Sequence, residues 1–478
     1  MKAKFLAVVL ILSALFVTAN QSYACPPPNQ DPVAILTADP EYVMKDVNVT
    51  LDGSGSYDPD GDIEKYEWDW DYDPCVGFDC NYSETENDPG DDFDGITTHK
   101  YSTAGTYTVA LRVTDDDNSK DTDTCMVYVN VKIFVPNDVN TIQEAIVDAN
   151  DGISTIVVSE GTYYENIDFK GKGITVTSTD PNSPDVVAAT IITDDPCDPN
   201  VHVVTFKTSE DANSVLIGFT ITDGDADGSG DEACGGGIYC DNASPTVRNC
   251  VIRDNKAAWS VDNGGGGGMY NDNNSNPSII NCVFSRNMAS STAPQTPLGY
   301  GGGIYNKESS PDVINCIFWG NFASHIGGGM YNEGLSSPRV INCVFADNYA
   351  ASAGGGMANV YDIDSPSPTV TNCTFSGNYG GTGGGMFNSG SNAEVTNCIF
   401  WGNYGFDHEI SPTEDINVSF SDVEGGYDGV SNIDSDPNFV DAVNPAGPDF
   451  VFSTWDDGLR IMAYSPCVDA ADGNDAPE

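Results

Sequence analysis

The chain has 478 residues and a formal charge of −54 at pH 7, from 72 acidic residues against 18 lysines and arginines. Phosphate recognition needs clustered cations, so this balance predicts no nucleic-acid partner. A polyanionic sugar would also be repelled unless divalent cations bridge the two. Two interpretations of the acidity remain open: solubility in a salty medium, which is the simpler one, and a surface that collects Ca²⁺.

Residues 1–24 have the organisation of a signal peptide. A short basic stretch precedes an apolar run from Phe5 to Val17, and Ser22 and Ala24 are small residues where signal peptidase prefers them. The run is too short to span a bilayer comfortably, and no later segment is long enough. We therefore expect an exported protein, extracellular or at the cell surface, that begins at Cys25. A lipid anchor on Cys25 is the alternative, although the residues before it depart from the usual lipobox pattern.

Residues 31–132 predict a small antiparallel β-sandwich. Runs such as NVTLDGS, KYEWDWD and TYTVALRVTD alternate apolar and polar residues, and turn signals such as DPDGD and STAG separate them. The segments VTLDGSGSYDPDGDIEKYEWDWD (49–71) and HKYSTAGTYTVALRVTDDD (99–117) resemble a PKD domain. That resemblance implies an immunoglobulin-like sandwich that serves as a spacer or binding module. An acidic insertion at 73–95 departs from the family, and a Cys75–Cys80 disulfide would staple it.

Residues 141–150, TIQEAIVDAN, predict a short amphipathic helix. Ile142, Ala145, Ile146 and Ala149 fall at helical spacing. The segment comes just before a stack of predicted strands. We expect the helix to cover the N-terminal end of that stack, where the first strands would otherwise present unpaired edges.

Residues 133–415 predict a solenoid. Between 235 and 403 one cassette occurs six times: a glycine-rich run, an aliphatic-aromatic pair, then Asn-Cys-x-Phe-x-x-Asn, with Ile252 replacing Phe in the first copy. A period of 25 to 34 residues indicates stacked units that each bury a face against the next. The six cysteines that mark the period are Cys250, Cys282, Cys316, Cys343, Cys373 and Cys398.

The cassette also predicts where each coil bends. The residue three positions before each Cys is aliphatic, yet in a straight strand it would lie on the opposite face from the Cys. The Asn between them tolerates the left-handed conformation, so we place a bend and an asparagine ladder there. The Asn that ends each cassette predicts a second ladder, and the glycine run predicts a third corner or a close backbone approach. Three bends per coil describe a right-handed parallel β-helix, with the six Cys as a buried stack of free thiols.

The cassettes resemble a known repeat. GGGI or GGGM together with FSRN, FWGN, FADN and FSGN is similar to the repeat of the polymorphic outer-membrane-protein family, within the pectate-lyase-like superfamily of the bacterial surface. The match covers 235–403, with weaker similarity from about 133. Residues 416–478 resemble the closing segment of secreted β-helices. Overall we expect an all-β chain, an immunoglobulin-like sandwich followed by a parallel β-helix.

Two acidic segments are candidate Ca²⁺ sites. Alternate carboxylates in 221–232, ITDGDADGSGDE, match the first part of an EF-hand-like loop, but Cys234 stands where a bidentate Glu is expected. The candidate ligands there are Asp223, Asp225, Asp227 and Asp231. The other candidate is the group Asp58, Asp60 and Asp62, near a turn where related domains sometimes bind Ca²⁺. Both segments are equally compatible with solvated acidic loops or turns.

The residues select no catalytic site. The basic residues are scattered, no Gly-His pair occurs, and nothing singles out the carboxylate dyad that an inverting glycosidase needs. Trp319 and Trp401 share the FWGN position and would form an external aromatic shelf for sugars, or else cover loops.

The leading hypothesis is a non-enzymatic exported protein that binds polysaccharides, cell-surface glycans or other surface proteins. The alternative is a polysaccharide lyase or glycoside hydrolase. A basic residue that faces paired carboxylates in a groove would favour the enzyme, and a flat aromatic face would favour binding.

Overall fold

The structure is a computed structural model, and it describes residues 28–85, 93–197, 202–227, 233–259, 264–291, 298–361, 367–407, 409–411, 416–445, 458–468 and 470. The predicted signal peptide, Cys25 and Asp231 lie outside these residues. Contacts divide the chain into two compact units. One comprises the residues up to Thr37 with Leu51–Thr97 and Thr108–Cys125; the other comprises Ala38–Thr50, Thr98–Tyr107 and the residues from Met126 onward.

The N-terminal part is a β-sandwich of two sheets. The smaller sheet has the strand order Thr37–Asp39, Asn48–Asp52, Ile96–Lys100. The larger sheet has the order Tyr42–Val43, Lys120–Val129, Gly105–Asp115, Ile63–Asp69, Tyr82–Thr85. Alternate side chains face inward, so Leu51, Trp68 and Leu111 are fully buried. This confirms the predicted sandwich.

Two short helices occur in the described residues, Ile142–Asp148 and Pro184–Ala189. The Thr141 hydroxyl caps the first by accepting a hydrogen bond from the Glu144 backbone N–H at 3.0 Å. Ile142, Ala145 and Ile146 are buried against the first strands of the solenoid. The sequence therefore placed this helix and its apolar face correctly.

The rest of the described chain is a parallel β-helix with four sheets, named here in the order in which a coil visits them. Sheet 1 contains Lys132–Val135, Thr155–Val158, Thr175–Ser178, Val215–Ile217, Thr246–Arg248, Ser278–Ile280, Asp312–Ile314, Arg339–Ile341, Thr369–Thr371, Ala393–Thr396 and Ile416–Ser419. Sheet 2 contains Gly161–Tyr164, Thr190–Thr193, Thr220–Thr222, Val251–Arg253, Val283–Ser285, Ile317–Trp319, Val344–Ala346, Thr374–Ser376, Ile399–Trp401 and Asp422–Val423.

Sheets 3 and 4 complete each coil. Sheet 3 contains Asp225–Ala226, Lys256–Trp259, Met288–Ser291, Phe322–Ala323, Tyr349–Ala353 and Tyr379–Thr382. Sheet 4 contains Ile167–Asp168, Val204–Phe206, Ile238–Asp241, Met269–Asp272, Ile304–Lys307, Met330–Glu333, Met357–Val360, Met386–Ser389 and Ile410–Ser411. A two-stranded pair, Gly264–Gly265 with Gly299–Tyr300, lies beside them.

Sheet 3 corrects the prediction of three bends per coil. The residues that follow the second ladder Asn stay extended and pair in parallel from coil to coil, as Tyr349 does with Tyr379. The glycine corner comes only after this strand. The cassette pattern ends at that Asn, so a further strand after it was not predicted.

The predicted bend is confirmed at the Asn before each Cys. Asn249, Asn281, Asn315, Asn342, Asn372 and Asn397 all have φ between 53° and 57°. Val340 and Cys343, on either side of one bend, are both buried. The amides also form the predicted ladder, since Asn342 Nδ2 donates to Asn315 Oδ1 at 3.1 Å.

The second predicted ladder is confirmed and fully buried over most of its length. Asn348 shows its bonding: the backbone N and Nδ2 both donate to Asn378 Oδ1, at 3.0 and 2.9 Å, and Nδ2 also donates to the Phe318 carbonyl at 2.8 Å. The sequence analysis missed a third ladder inside sheet 4. Each member comes third after a glycine run, and neighbouring amides are hydrogen-bonded at 2.8–3.3 Å. The members are Asn271, Asn306, Asn332, Asn359 and Asn388.

The core of the β-helix is a stack of identical side chains. The rings of Phe284, Phe318, Phe345, Phe375 and Phe400 stack at 4.5–5.1 Å with planes 2–6° apart. The six cassette cysteines are buried and free, as predicted. Burial raises the pKa of Cys250 well above its usual value, which keeps that thiol protonated. Cys75 and Cys80 are also free, so the predicted staple is absent in this structure.

The glycine runs are corners of close backbone approach, as predicted. In Gly327–Gly329 the first residue has φ of 71°. A Cβ on Gly328 would lie 2.4 Å from the Gly355 carbonyl oxygen in the next coil. Any larger residue would therefore separate the coils. Among the described residues, no helix is long and apolar enough to cross a membrane.

Candidate functional site

Trp319 and Trp401 occupy one column of sheet 2, but they are not neighbours. Trp319 pairs with Ala346, Ala346 with Ser376, and Ser376 with Trp401. The two indoles are therefore three coils apart, about 14 Å at the usual strand spacing. Trp319 also contacts Arg286, whose guanidinium lies 5.8 Å from the ring centroid. The two tryptophans alone do not form the continuous shelf that was predicted.

An exposed aromatic column runs beside them at the start of sheet 3. Phe322, Tyr349 and Tyr379 pair in register, and Tyr404 follows in the next coil. The ring centroids are 5.2 and 4.9 Å apart in the first three residues. The four side chains are 37%, 38%, 40% and 64% exposed in chain order. This column has a signal in the sequence that was not used in the prediction. Each of the last four Asn of the second ladder is followed directly by an aromatic residue.

The two columns lie on either side of a corner between sheets 2 and 3. Between them lie Gly320, Asp347, Gly377 and Gly402, each with φ between 54° and 72°. A Cβ on Gly402 would meet nothing within 4 Å, so this backbone is open to a ligand. We call the six aromatic residues and these four corner residues the corner strip. The aromatic members are Trp319, Phe322, Tyr349, Tyr379, Trp401 and Tyr404.

The corner strip carries little positive charge. Asp347 is its charged residue, and it accepts a hydrogen bond from the Trp319 indole at 3.4 Å. Partial burial of the carboxyl group raises the pKa of Asp347, although that hydrogen bond opposes the effect. Arg286, in the preceding coil, donates to both oxygens of Asp254 at 2.8 and 2.7 Å. Asp254 also bonds to Arg253, at 2.7 Å, and the two arginines together lower the pKa of Asp254.

A pair of carboxyl groups lies at the other end of the strip. Glu409 is 7% exposed and accepts hydrogen bonds from the backbone N and the Nδ2 of Asn403, the last rung of the second ladder. Glu424 accepts from the Gly402 backbone at 2.8 Å and contacts Glu409. Burial, with Glu424 nearby, raises the pKa of Glu409 to about 8. The contact is closer than the roughly 5–9.5 Å between the two carboxyl groups of glycosidases.

The outer face of sheet 4 holds a second polar cluster. Lys307 Nζ lies 3.3 Å from Asp272 Oδ2, which also accepts a hydrogen bond from the Tyr270 hydroxyl at 2.9 Å. In the next coil the Tyr305 hydroxyl donates to Glu333. Burial lowers the pKa of Lys307, but Asp272 and Glu333 outweigh it and raise the pKa overall. A lysine held protonated in this way is poorly suited to act as a base.

The first acidic candidate, Asp58, Asp60 and Asp62, forms a hydrogen-bonded turn. The Asp60 backbone N–H donates to Asp58 at 3.4 Å, and the Asp62 N–H donates to Asp116 at 3.3 Å. Asp58 Oδ2 is buried and has no hydrogen-bond partner among the described residues. This desolvation, helped by the neighbouring carboxylates, raises the pKa of Asp58. Sequence spacing did not identify Asp116 as part of this turn.

In the second acidic candidate the carboxylates do not converge within the described residues. Asp225 Oδ1 bonds to Lys256 Nζ at 2.8 Å, and Asp223 adopts a left-handed conformation with φ of 59°. Asp227 is exposed, and Asp231 lies outside the described residues. Across the part of the chain that the structure describes, no group of three or more His, Cys, Asp or Glu side chains could hold a metal ion. Ca²⁺ binding at either segment stays a prediction.

Comparisons with known proteins identify the N-terminal module. Residues 29–131 match the PKD domain family. No curated protein sequence matches the chain. A solved structure described as a basis for the promiscuous specificity of carbohydrate-binding modules from the β-sandwich superfamily is 35% identical, with a TM-score of 0.18. That match covers 22% of this chain, which in turn spans 36% of the length of that relative.

Two further solved structures align with longer parts of the chain. Pectin methylesterase from carrot is 13% identical over 63% of this chain and 82% of its own, with a TM-score of 0.31. The family 28 exopolygalacturonase of Yersinia enterocolitica is 10% identical over 84% of this chain and 99% of its own, with a TM-score of 0.20. These scores are too low to carry any function over. The family match and the strand topology together identify a PKD domain at residues 29–131, followed by a parallel β-helix.

Proposed function

We propose that this protein is an exported, carbohydrate-binding surface protein that holds glycans on its β-helix without cleaving them. The single observation that carries the proposal is the corner strip. Six aromatic side chains line four successive coils, on either side of a corner whose backbone is open at Gly402. A row of exposed aromatic side chains, here Phe322, Tyr349, Tyr379 and Tyr404, is unusual on the surface of a soluble protein and marks a binding site. The signal-peptide sequence and the PKD domain are consistent with export.

The alternative is a polysaccharide lyase or glycoside hydrolase. Lys307 between Asp272 and Glu333 is the observation that favours it, because a basic residue there lies against two carboxylates. Both carboxylates are already bonded to tyrosine hydroxyls, and Asp272 is only 6% exposed. The Glu409–Glu424 pair is in direct contact, which leaves no room for a substrate between the two groups. These contacts support the binding protein over the enzyme.

The test is a glycan array combined with a polysaccharide-degradation screen, each run with and without Ca²⁺. We expect retention of at least one polysaccharide and no release of products. A Trp401→Ala/Tyr404→Ala double variant should lose binding, whereas Tyr164→Ala, at a tyrosine 63% exposed outside the strip, should not. Product formation from any polysaccharide would overturn the non-enzymatic proposal. Binding that survives the double variant would remove the corner strip as the site.

A further inference from the structure

The corner strip offers hydroxyl groups rather than ring faces. The planes of Phe322, Tyr349 and Tyr379 are 3° and 4° apart, so neighbouring rings cover each other's faces. What reaches solvent is a row of ring edges that ends in the hydroxyls of Tyr349, Tyr379 and Tyr404. Within the described residues these three hydroxyls have no hydrogen-bond partner in the protein. In contrast, the hydroxyls of Tyr270 and Tyr361 are both bonded to protein oxygens.

The hydroxyl row repeats once per coil. Tyr349 and Tyr379 are in register, and their ring centroids are 4.9 Å apart. A sugar residue in an extended β-1,4-linked chain advances by about one spacing between neighbouring β-strands. A polysaccharide that lies along the helix axis would therefore meet one tyrosine hydroxyl per sugar residue, and it would present alternate edges of the chain because successive β-1,4-linked residues are turned over. Each phenol can both donate and accept, as sugar hydroxyls do.

The charge around the row selects against acidic sugars. Asp347 lies in the corner between Trp319 and the hydroxyl row, and no lysine or arginine belongs to the strip. Arg286, in the preceding coil, and Arg253 both bond to Asp254, so these cations are directed at that carboxylate rather than at Asp347. Carboxylates of a polyuronate would approach Asp347 without a compensating cation, in a protein of formal charge −54.

We infer that the corner strip binds a neutral, extended β-1,4-linked polysaccharide along the helix axis, with one sugar residue per coil. The hydroxyls of Tyr349, Tyr379 and Tyr404 form the contacts, and Asp347 excludes uronates. Phe322 begins the row without a hydroxyl, so the natural site has three hydroxyl positions. This inference rests on the proposed function and specifies its ligand.

Affinities for gluco- and xylo-oligosaccharides of two to six units, and for oligogalacturonides of the same lengths, test the inference by titration calorimetry. Tyr379→Phe keeps the stacked ring and removes only the hydroxyl, so we expect a loss of roughly three- to tenfold in affinity for the neutral sugars. Phe322→Tyr extends the row and should raise affinity by a similar factor. Affinity should increase with length up to three units in the native protein and up to four units in Phe322→Tyr. Oligogalacturonides should bind at least about tenfold more weakly, and Asp347→Asn should narrow that difference.

The control is Tyr164→Phe, which removes the hydroxyl of an exposed tyrosine outside the strip and should change nothing. The failure of each idea has its own result. If no oligosaccharide or polysaccharide binds the protein, the proposed function itself fails. If neutral sugars bind but Tyr379→Phe and Phe322→Tyr both bind them with the affinity of the native protein, the role of the hydroxyl row is refuted while the binding function stands. Stronger binding of oligogalacturonides would refute the role given to Asp347.

Discussion

Glu409 gives a pH-dependent stability that can be tested directly. Its carboxyl group takes the place of the next asparagine in the second ladder, because it accepts from both the backbone N and the Nδ2 of Asn403. Burial beside Glu424 raises its pKa from the usual 4.5 to about 8. The native state therefore holds a proton between these two pH values that the unfolded chain has released.

The sign of the effect follows from that proton. Since the native state binds more protons than the unfolded state between pH 4.5 and about 8, the free energy of unfolding falls as the pH rises through this window. At about 1.4 kcal/mol per pKa unit, the loss from this group alone is on the order of 5 kcal/mol above pH 8. The contribution is fully present below pH 4.5.

The perturbation is Glu409→Gln, which keeps the size of the side chain and removes its titration. At pH 5 the variant should be less stable by about 1 kcal/mol, since an amide offers one acceptor oxygen to Asn403 in place of two. At pH 9 the order should reverse, and the free energy of unfolding of the variant should exceed that of the native protein by several kcal/mol. Glu394→Gln, at an exposed glutamate in the strand Ala393–Thr396, is the matched control. It should leave the free energy of unfolding unchanged at both pH values.

Urea unfolding at pH 5, 7 and 9 measures the difference, together with hydrogen exchange at Asn403. Exchange is needed because a solenoid can open from one end without global unfolding. If the stability difference between Glu409→Gln and the native protein is the same at pH 5 and pH 9, Glu409 does not titrate as described and the reasoning is wrong.

Three further predictions concern the ladders and the acidic turns. Asn348→Ala leaves the Phe318 carbonyl and the donors of Asn321 unpaired in the core, so urea unfolding should show a loss of about 2–4 kcal/mol. Asn342→Gly, which removes an amide of the exposed ladder and keeps the left-handed backbone, should cost about 1 kcal/mol, and equal losses would contradict this. Asn315 has φ of 54°, which strains most residues that have a Cβ other than Asn. Asn315→Ala should therefore lower the free energy of unfolding by about 1–2 kcal/mol more than Asn315→Gly in the same assay. Equal stability of the two variants would show that this backbone is not strained. Ca²⁺ should raise the melting temperature of the protein, and Asp58→Asn/Asp60→Asn should abolish part of that rise; calorimetry that detects no Ca²⁺ binding at millimolar concentration would show that both acidic candidates are solvated turns.

The sequence predicted most of the β-helix because its repeat constrains every coil in the same way. Six Asn at one position before Cys predicted the left-handed bend, and the structure places all six at positive φ. The buried Cys and the glycine corners followed from the same cassette. The third asparagine ladder was equally visible, since Asn follows the aliphatic-aromatic pair in four cassettes and follows Met357-Ala358 in a fifth, but it was not predicted.

The candidate site was predicted only in part. The sequence singled out Trp319 and Trp401 by their shared motif, but it could not show that Ala346 and Ser376 separate them in one column. It also gave no reason to connect Trp319 with Phe322, which lie on either side of a corner at Gly320, where φ is 62°. The acidic turn of the sandwich likewise draws Asp116 from a distant strand end.

By itself, the sequence determined the period of the coils, the residues at their bends and the composition of their core. These are local or exactly repeated properties, and each copy of the cassette reports them again. The tertiary structure alone decided which variable side chains become neighbours, because stacking brings together residues that lie 25 to 37 positions apart. The corner strip and the Lys307 cluster arise in this way, where the cassettes differ from one another, and the Glu409–Glu424 pair forms beyond the last cassette.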